Sequence, residues 1–257
     1  MTETRNTPRK NLSVRVTFLG TGDAFGSGGR LATCIHVDAA GCCFLLDCGP
    51  SVLAAMRRAH LPTLGVDVIL TSHLHGDHTG GIPFVLLEAQ LRALRDRPLA
   101  IAGPPGIDTH VSTLMEALFP GFSRDVIAFP LEFLELSPAM PVRLGPLSVI
   151  AAPAVHSPLS NPLSLRIETP SGTIAYSGDT EWNESLAKIA SGADLFICEC
   201  FRPRGPVTNH LDHATLFEKR RLLTARRIVL VHMDETMLAH TPDAAFEAAY
   251  DGMVVEI

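Results

Sequence analysis

The chain has 257 residues, 46% hydrophobic and 19% charged, a balance that fits a globular protein with a sizeable core and excludes a disordered or fibrous one. Its formal net charge of -6 gives no basic field, so attraction to nucleic acid or to an anionic membrane is not expected from charge alone. Six cysteines, with no charged-then-apolar leader ahead of them, argue against secretion and a disulfide framework and for a cytoplasmic setting.

Residues 1–12 are polar and charged and are expected to be flexible, and with no repeat, low-complexity tract or linker after them, residues 13–257 read as a single domain. Val14 to Leu19 alternates as a first strand and runs into the loop from Gly20 to Gly26. Phe25 stands where a dinucleotide fingerprint needs glycine, so the loop reads as a tight turn bringing backbone close to a site. Cys42 to Leu46 is a buried strand ending in Asp47-Cys48-Gly49, with Pro50 early in a short helix reaching His60. The apolar run Val66 to Leu70 is followed at once by His73-Leu74-His75-Gly76-Asp77-His78, a dense set of metal donors in which Gly76 is expected to permit a tight bend. Phe84, Leu87, Leu91 and Leu94 then recur at helical spacing, giving an amphipathic helix that stops before Pro98.

A short strand at Ala100 to Ala102, a turn at Gly103-Pro-Pro-Gly106 and a helix marked by Ile107, Val111, Leu114, Met115 and Leu118 follow, with His110 expected on the surface. Val126 to Ile150 reads as strands. The uncharged run from Leu144 to Leu165 is broken by Pro146, Pro153, Pro158 and Pro162, so no membrane span is expected. Three later strands each end in a polar turn: Thr173 to Tyr176 before Asp179, Asp194 to Ile197 before Glu199, and Ile228 to Val231 before His232. Cys198 and Cys200 read as core thiols, Asp212 or Thr215 starts a helix, and Thr241-Pro242 starts a last helix ending near Gly252.

His156, Asp179 and His232 are each weak signals alone, since a strand-end histidine is ordinarily a satisfied polar residue and Asp179 could cap a helix starting near Glu181. With the cluster at 73–78 they form an ordered set. His73-x-His75-x-Asp77-His78, His156, Asp179 in Ser-Gly-Asp-Thr, and His232 resemble the metal-binding motifs of metallo-β-lactamase fold hydrolases, most of all the ribonuclease Z and small-molecule phosphodiesterase branch. The resemblance extends from Gly20 to His232 and implies an α/β fold, a four-layer αββα sandwich of two mixed β-sheets with outer helices. It also implies that His73, His75 and His156 bind one metal and Asp77, His78 and His232 a second, with Asp179 bridging. The donor set suits two divalent ions, Zn²⁺ first, with Mn²⁺ or Fe tolerated.

The reaction so implied is hydrolysis of a phosphodiester by a metal-bridging hydroxide, which Asp77 orients. Either His210 or His213 assists the leaving group; the spacing to His232 favours His210, and the wording His213-Ala-Thr favours His213. Asp47 and Glu199 are expected to support the histidines from behind. The interval from Gly106 to His156 is short for the RNA-gripping arm of ribonuclease Z proteins, and two tyrosines and one tryptophan offer little stacking, so a small-molecule or nucleotide phosphodiester is expected and a large structured RNA is disfavoured. The alternatives are another ester, such as an aryl sulfate or lactone, and a tRNA 3′-processing endonuclease lacking the arm. Similar proteins commonly form homodimers.

Overall fold

A computed structural model describes residues 13–138, 140–205, 207–240 and 245–257. In chain order its elements are β1 (Val14–Gly20), β2 (Cys34–Ala39), β3 (Cys42–Leu46), α1 (Val52–Arg58), β4 (Val68–Leu70), α2 (Gly76–Thr79), α3 (Ile82–Leu91), β5 (Leu99–Gly103), α4 (Ile107–Leu118), β6 (Leu131–Glu135), β7 (Val142–Leu144) and β8 (Leu147–Pro153). They continue as β9 (Leu163–Thr169), β10 (Gly172–Tyr176), α5 (Glu184–Ala190), β11 (Leu195–Glu199), α6 (His213–Lys219), β12 (Ile228–Val231), α7 (Glu235–His240), β13 (Glu247–Ala248) and β14 (Val254–Glu256).

The strands form two sheets, ordered β14-β1-β2-β3-β4-β5-β6 and β13-β12-β11-β10-β9-β8-β7. In the first, β3 to β6 run parallel and the other pairings are antiparallel; in the second, β10 to β13 run parallel. Strand alternation builds the layers. Phe44 and Leu46 of β3 enter the core between the sheets, with Val149, Leu165, Ile174 and Val229. Leu45, on the opposite face, packs under α1, α3 and α4 with Met56, Leu86 and Val111. Phe196 and Leu230 likewise face outward beneath Leu186, Leu216 and Met237 of α5, α6 and α7. The result is the αββα sandwich, and the carboxyl ends of its parallel strands open at one end, where a site belongs in such sheets.

Several expectations are corrected. The helix expected from Thr241 to near Gly252 does not form among the described residues, where Glu247 and Ala248 pair with β12 as β13 and a turn follows, because backbone pairing outweighs a helical pattern; Thr241 and Pro242 lie outside the described residues, as do residues 1–12. On α3 the buried face is Ile82, Val85, Leu86 and Ala89, whereas Phe84 and Leu91 face solvent, and Leu94 is exposed beyond the helix end. Gly76 starts α2 without left-handed backbone and with open space about its α-carbon, so the bend does not require glycine. Gly178 does: its φ is 58°, and a Cβ there would lie 2.8 Å from the Leu163 carbonyl oxygen and 2.9 Å from Ser72 Cβ. His110 is half-buried, its Nε2 3.0 Å from Thr79 Oγ1. No helix of the described residues is long and apolar enough to cross a membrane.

Candidate metal centre

The loop after β4 carries His73 and His75, and the single turn of α2 sets Asp77 and His78 beside them. The His75 carbonyl starts that turn by accepting from His78 N at 3.1 Å and from Thr79 N and Oγ1 at 3.0 and 2.8 Å. The loops after β8, β10 and β12, on the other sheet, bring in His156, Asp179 and His232. Asp179 is not a helix cap, for Asn183 caps α5 by accepting from Ser185 N. The loop from Gly20 to Gly26 supports the site by backbone, Thr21 O accepting from His232 N at 2.9 Å.

Of the four overlapping groups of potential donors among the described residues, two of which include His210, two hold the seven residues expected from the sequence. In the first, His75 Nδ1 lies 3.1 Å from His73 Nε2 and 3.0 Å from His156 Nε2. In the second, Asp77 Oδ2 lies 3.1 Å from His78 Nε2 and 3.4 Å from His232 Nε2. Asp179 Oδ2 stands between them, 3.3 Å from His232 Nε2, 3.5 Å from His78 Nε2 and 3.9 Å from the Nε2 atoms of both His73 and His156.

The outer ring nitrogens fix the tautomers. His156 Nδ1 donates to the Asn209 carbonyl at 2.7 Å, and His78 Nδ1 to Asp47 Oδ2 at 2.7 Å. Ser72 Oγ gives its hydrogen to Asp47 Oδ2 at 2.8 Å, so it accepts from His73 Nδ1 at 3.0 Å. All three Nε2 lone pairs therefore face the centre. Buried His78 Nε2 has no hydrogen-bond partner of acceptable geometry. Nitrogens and carboxylate oxygens about 3.3 Å apart are what a tetrahedral ion with ~2.0–2.1 Å bonds gathers, so the residues fit a divalent cation.

The charge distribution agrees. Burial, with the positive field of His78, holds His73 well below its ordinary pKa. Burial opposes the charged form of His78 too, but Asp179, Asp47 and Asp77 outweigh it and raise that pKa well above ordinary. His232 is pushed up to about 9, where Asp179 and the Asp77 hydrogen bond overcome burial. Asp77 and Asp179 stay below the usual carboxylate range against burial, held there chiefly by His78 and His232 respectively. Without a metal these carboxylates attract protons onto neighbouring imidazoles, and a cation would displace those protons.

His210 joins this cluster. Its Nδ1 lies 3.1 Å from Glu199 Oε2, and its ring stacks between Phe201 and His232 with centroids 4.8 and 5.4 Å away. Burial lowers its pKa, yet Glu199 and Asp179 more than compensate and leave it raised. Glu199, itself raised by burial, accepts from Thr180 N. His213 points elsewhere: it opens α6, and its ring meets His240 at 5.2 Å and Phe246 at 5.8 Å. Asp47 accepts from Ser72 N, Ser72 Oγ, His78 Nδ1 and Tyr176 Oη at 2.6 to 2.8 Å. Cys198 and Cys200 are buried thiols whose pKa burial raises.

Sequence reasoning passed over Tyr176, Ser72, Phe201 and Asn209. The available signal was a tyrosine at the end of an apolar strand, whose hydroxyl needs a partner once buried. Three residues bordering the centre, Asp47, Asn209 and His232, hold left-handed backbone, with φ of 56°, 71° and 58°.

Residues 43–233 match the family model described as beta-lactamase superfamily domain. The ribonuclease Z of Mycolicibacterium paratuberculosis is 30% identical over 251 residues, covering 88% of each chain. Human tRNase Z, short form, superposes with a TM-score of 0.76 at 23% identity, over 94% of this chain and 98% of that one. A diphosphatase from the PhnP family does so with a TM-score of 0.75 at 18% identity, over 95% and 98%.

Proposed function

The chain belongs to the beta-lactamase superfamily as a ribonuclease Z and phosphodiesterase-like metal-dependent hydrolase, and from that premise we propose that it cleaves a small phosphodiester or nucleotide at a two-metal centre. His73, His75 and His156 would hold one ion and Asp77, His78 and His232 the other, with Asp179 standing between the two groups. The observation that carries this reading is the position of Asp179 Oδ2, within 3.3 to 3.9 Å of a nitrogen of His73, His78, His156 and His232. Zn²⁺ suits the nitrogen-rich donors best.

Divalent ions bound there supply Lewis acidity, drawing the pKa of water from ~15.7 towards ~7 and offsetting charge on the phosphoryl oxygens. The protein does the rest. Asp77, ionised, orients the attacking water through a hydrogen bond. Glu199 accepts from His210 Nδ1 and, with Asp179, favours the imidazolium form against burial, and in that form Nε2–H is the donor for the leaving oxygen. As the new P–O bond forms and the old one breaks, that proton passes to the departing alkoxide.

Support for a small substrate comes from the stretch between Gly106 and His156. Its described residues are taken up by α4, a 3₁₀ turn at Arg124–Val126 and strands β6 to β8, all parts of the sandwich. The test is metal analysis of the purified protein together with turnover of bis(p-nitrophenyl) phosphate, a cyclic nucleotide, a pre-tRNA, an aryl sulfate and a lactone. Two metals per chain with preferred turnover of the small phosphodiesters is expected. Faster turnover of the sulfate, the lactone or the pre-tRNA would overturn the substrate class.

A further inference from the structure

On the side of the centre where His210 lies, the turn after Asp179 and the loop ahead of α6 flank a cavity of about 260 Å³ that is open to solvent. Its walls include Glu181, Trp182, Thr208, His210, Asp212 and Thr215. They are fixed in place. Glu181 Oε1 accepts from Asn209 N at 2.7 Å, tying one wall to the other, and the Glu181 amide donates to the Val155 carbonyl at 2.8 Å. Asp212 caps α6, accepting from Thr215 N and Oγ1 at 3.0 and 2.7 Å.

The chemistry of this lining is one-sided. Among the described residues two carboxylates and no lysine or arginine line the cavity, and the histidine is already committed to Glu199 through Nδ1. Glu181 Oε2 has no hydrogen-bond partner among the described residues and is free to accept one. Trp182, half-buried against the outer core of the second sheet, adds an aromatic surface. Such a pocket accepts hydroxyl donors and a flat ring and repels an anion.

We propose that this cavity receives the leaving group of the phosphodiester and selects an uncharged nucleoside-like alcohol over one that carries a further phosphate. The inference rests on the reading that His210 serves the leaving oxygen, because His210 is the residue that lines the cavity and also joins the metal-facing cluster. Glu181 and Asp212 then act as a charge filter, and Trp182 is a specificity-determining platform for the ring.

The test uses the intact metal-loaded protein and three substrates: adenylyl-(3′→5′)-adenosine and its two forms phosphorylated at one end or the other, with products identified by chromatography. A phosphate on the nucleoside that departs should lower kcat/KM about tenfold, and the same phosphate on the retained nucleoside far less. Thr208→Lys, at an exposed position, should shrink the tenfold ratio to about threefold or less by placing a cation at the cavity. Trp182→Ala should raise KM for the unmodified dinucleotide about tenfold with kcat little changed. Equal penalties at both ends, or an unchanged ratio in a Thr208→Lys protein that melts as the parent does, would overturn the proposal. If neither the dinucleotide nor bis(p-nitrophenyl) phosphate is turned over, it is the phosphodiesterase reading itself that fails.

Discussion

Asp47 shows what a single buried carboxylate can organise. Fully buried, it receives four hydrogen bonds, from Ser72 N, Ser72 Oγ, His78 Nδ1 and Tyr176 Oη, and so links both sheets to one metal-facing imidazole. Asp47→Ala leaves those donors unpaired in an apolar setting, and urea unfolding should report a loss of about 3–5 kcal/mol. Asp47→Asn keeps the shape but replaces an acceptor facing His78 with an amide; competition with a chelator should show metal affinity down by about 10–100-fold. The proposed division of labour gives a further contrast. His75→Ala should abolish phosphodiester turnover and lower metal content, whereas His210→Ala should keep its metal and lose about 10²–10⁴-fold in kcat. The candidate donors were legible in the chain because the loops after β4, β8, β10 and β12 each follow an apolar run, and Asp77 and His78 stand in α2 directly behind His73 and His75. Tyr176 was not, because inside Thr173 to Tyr176 it has the pattern of any core residue, and only the fold supplies Asp47 as its partner.

The helices and strands show where pattern reading reaches its limit. Helix α3 was legible as a helix but not in its orientation, since apolar residues occupy nearly all of its circumference and spacing cannot say which stripe meets the sheet. Leu86→Ala should cost about 2–5 kcal/mol in chemical denaturation, while Leu91→Ala on the solvent face should stay within about 0.5 kcal/mol. Strand β2 was passed over although Ile35, Val37 and Ala39 alternate with His36 and Asp38 as a strand should, and the helix expected before Gly252 fails because β12 offers Glu247 and Ala248 backbone partners that no local pattern reveals. His36 also ties β2 to pH. Burial lowers its pKa, with Asp38 opposing, so below the ordinary value of 6.5 the unfolded chain binds the proton more readily than the folded one. Stability should therefore fall as pH drops below that value. His36→Leu should flatten the difference between urea midpoints measured at about pH 5.5 and about pH 7.5.

At the scale of the molecule, the donors divide between the sheets: His73, His75, Asp77 and His78 come from the first, His156, Asp179 and His232 from the second. The proposed ions thus span the mouth of the sandwich and bind only when both sheets are docked. Ions at about a thousandfold excess over Kd add about 4 kcal/mol, so chelation should lower Tm by about 8–16 °C and readdition of Zn²⁺ should restore it, by calorimetry. The sandwich itself was legible from the resemblance and the order of its strands, whereas the pocket beside His210 was not, since it arises from two loops that meet only after folding. The left-handed backbone at Asp47, Asn209 and His232 costs on the order of 1 kcal/mol or more at each position, a load carried by the rest of the sandwich. Glycine could relieve that load only at Asn209, which serves the site through its backbone carbonyl and amide; at Asp47 it would strand four buried donors and at His232 remove a proposed ligand, each a larger loss than the strain. Thermostability is better sought on the outer helices, where variation leaves the catalytic end untouched.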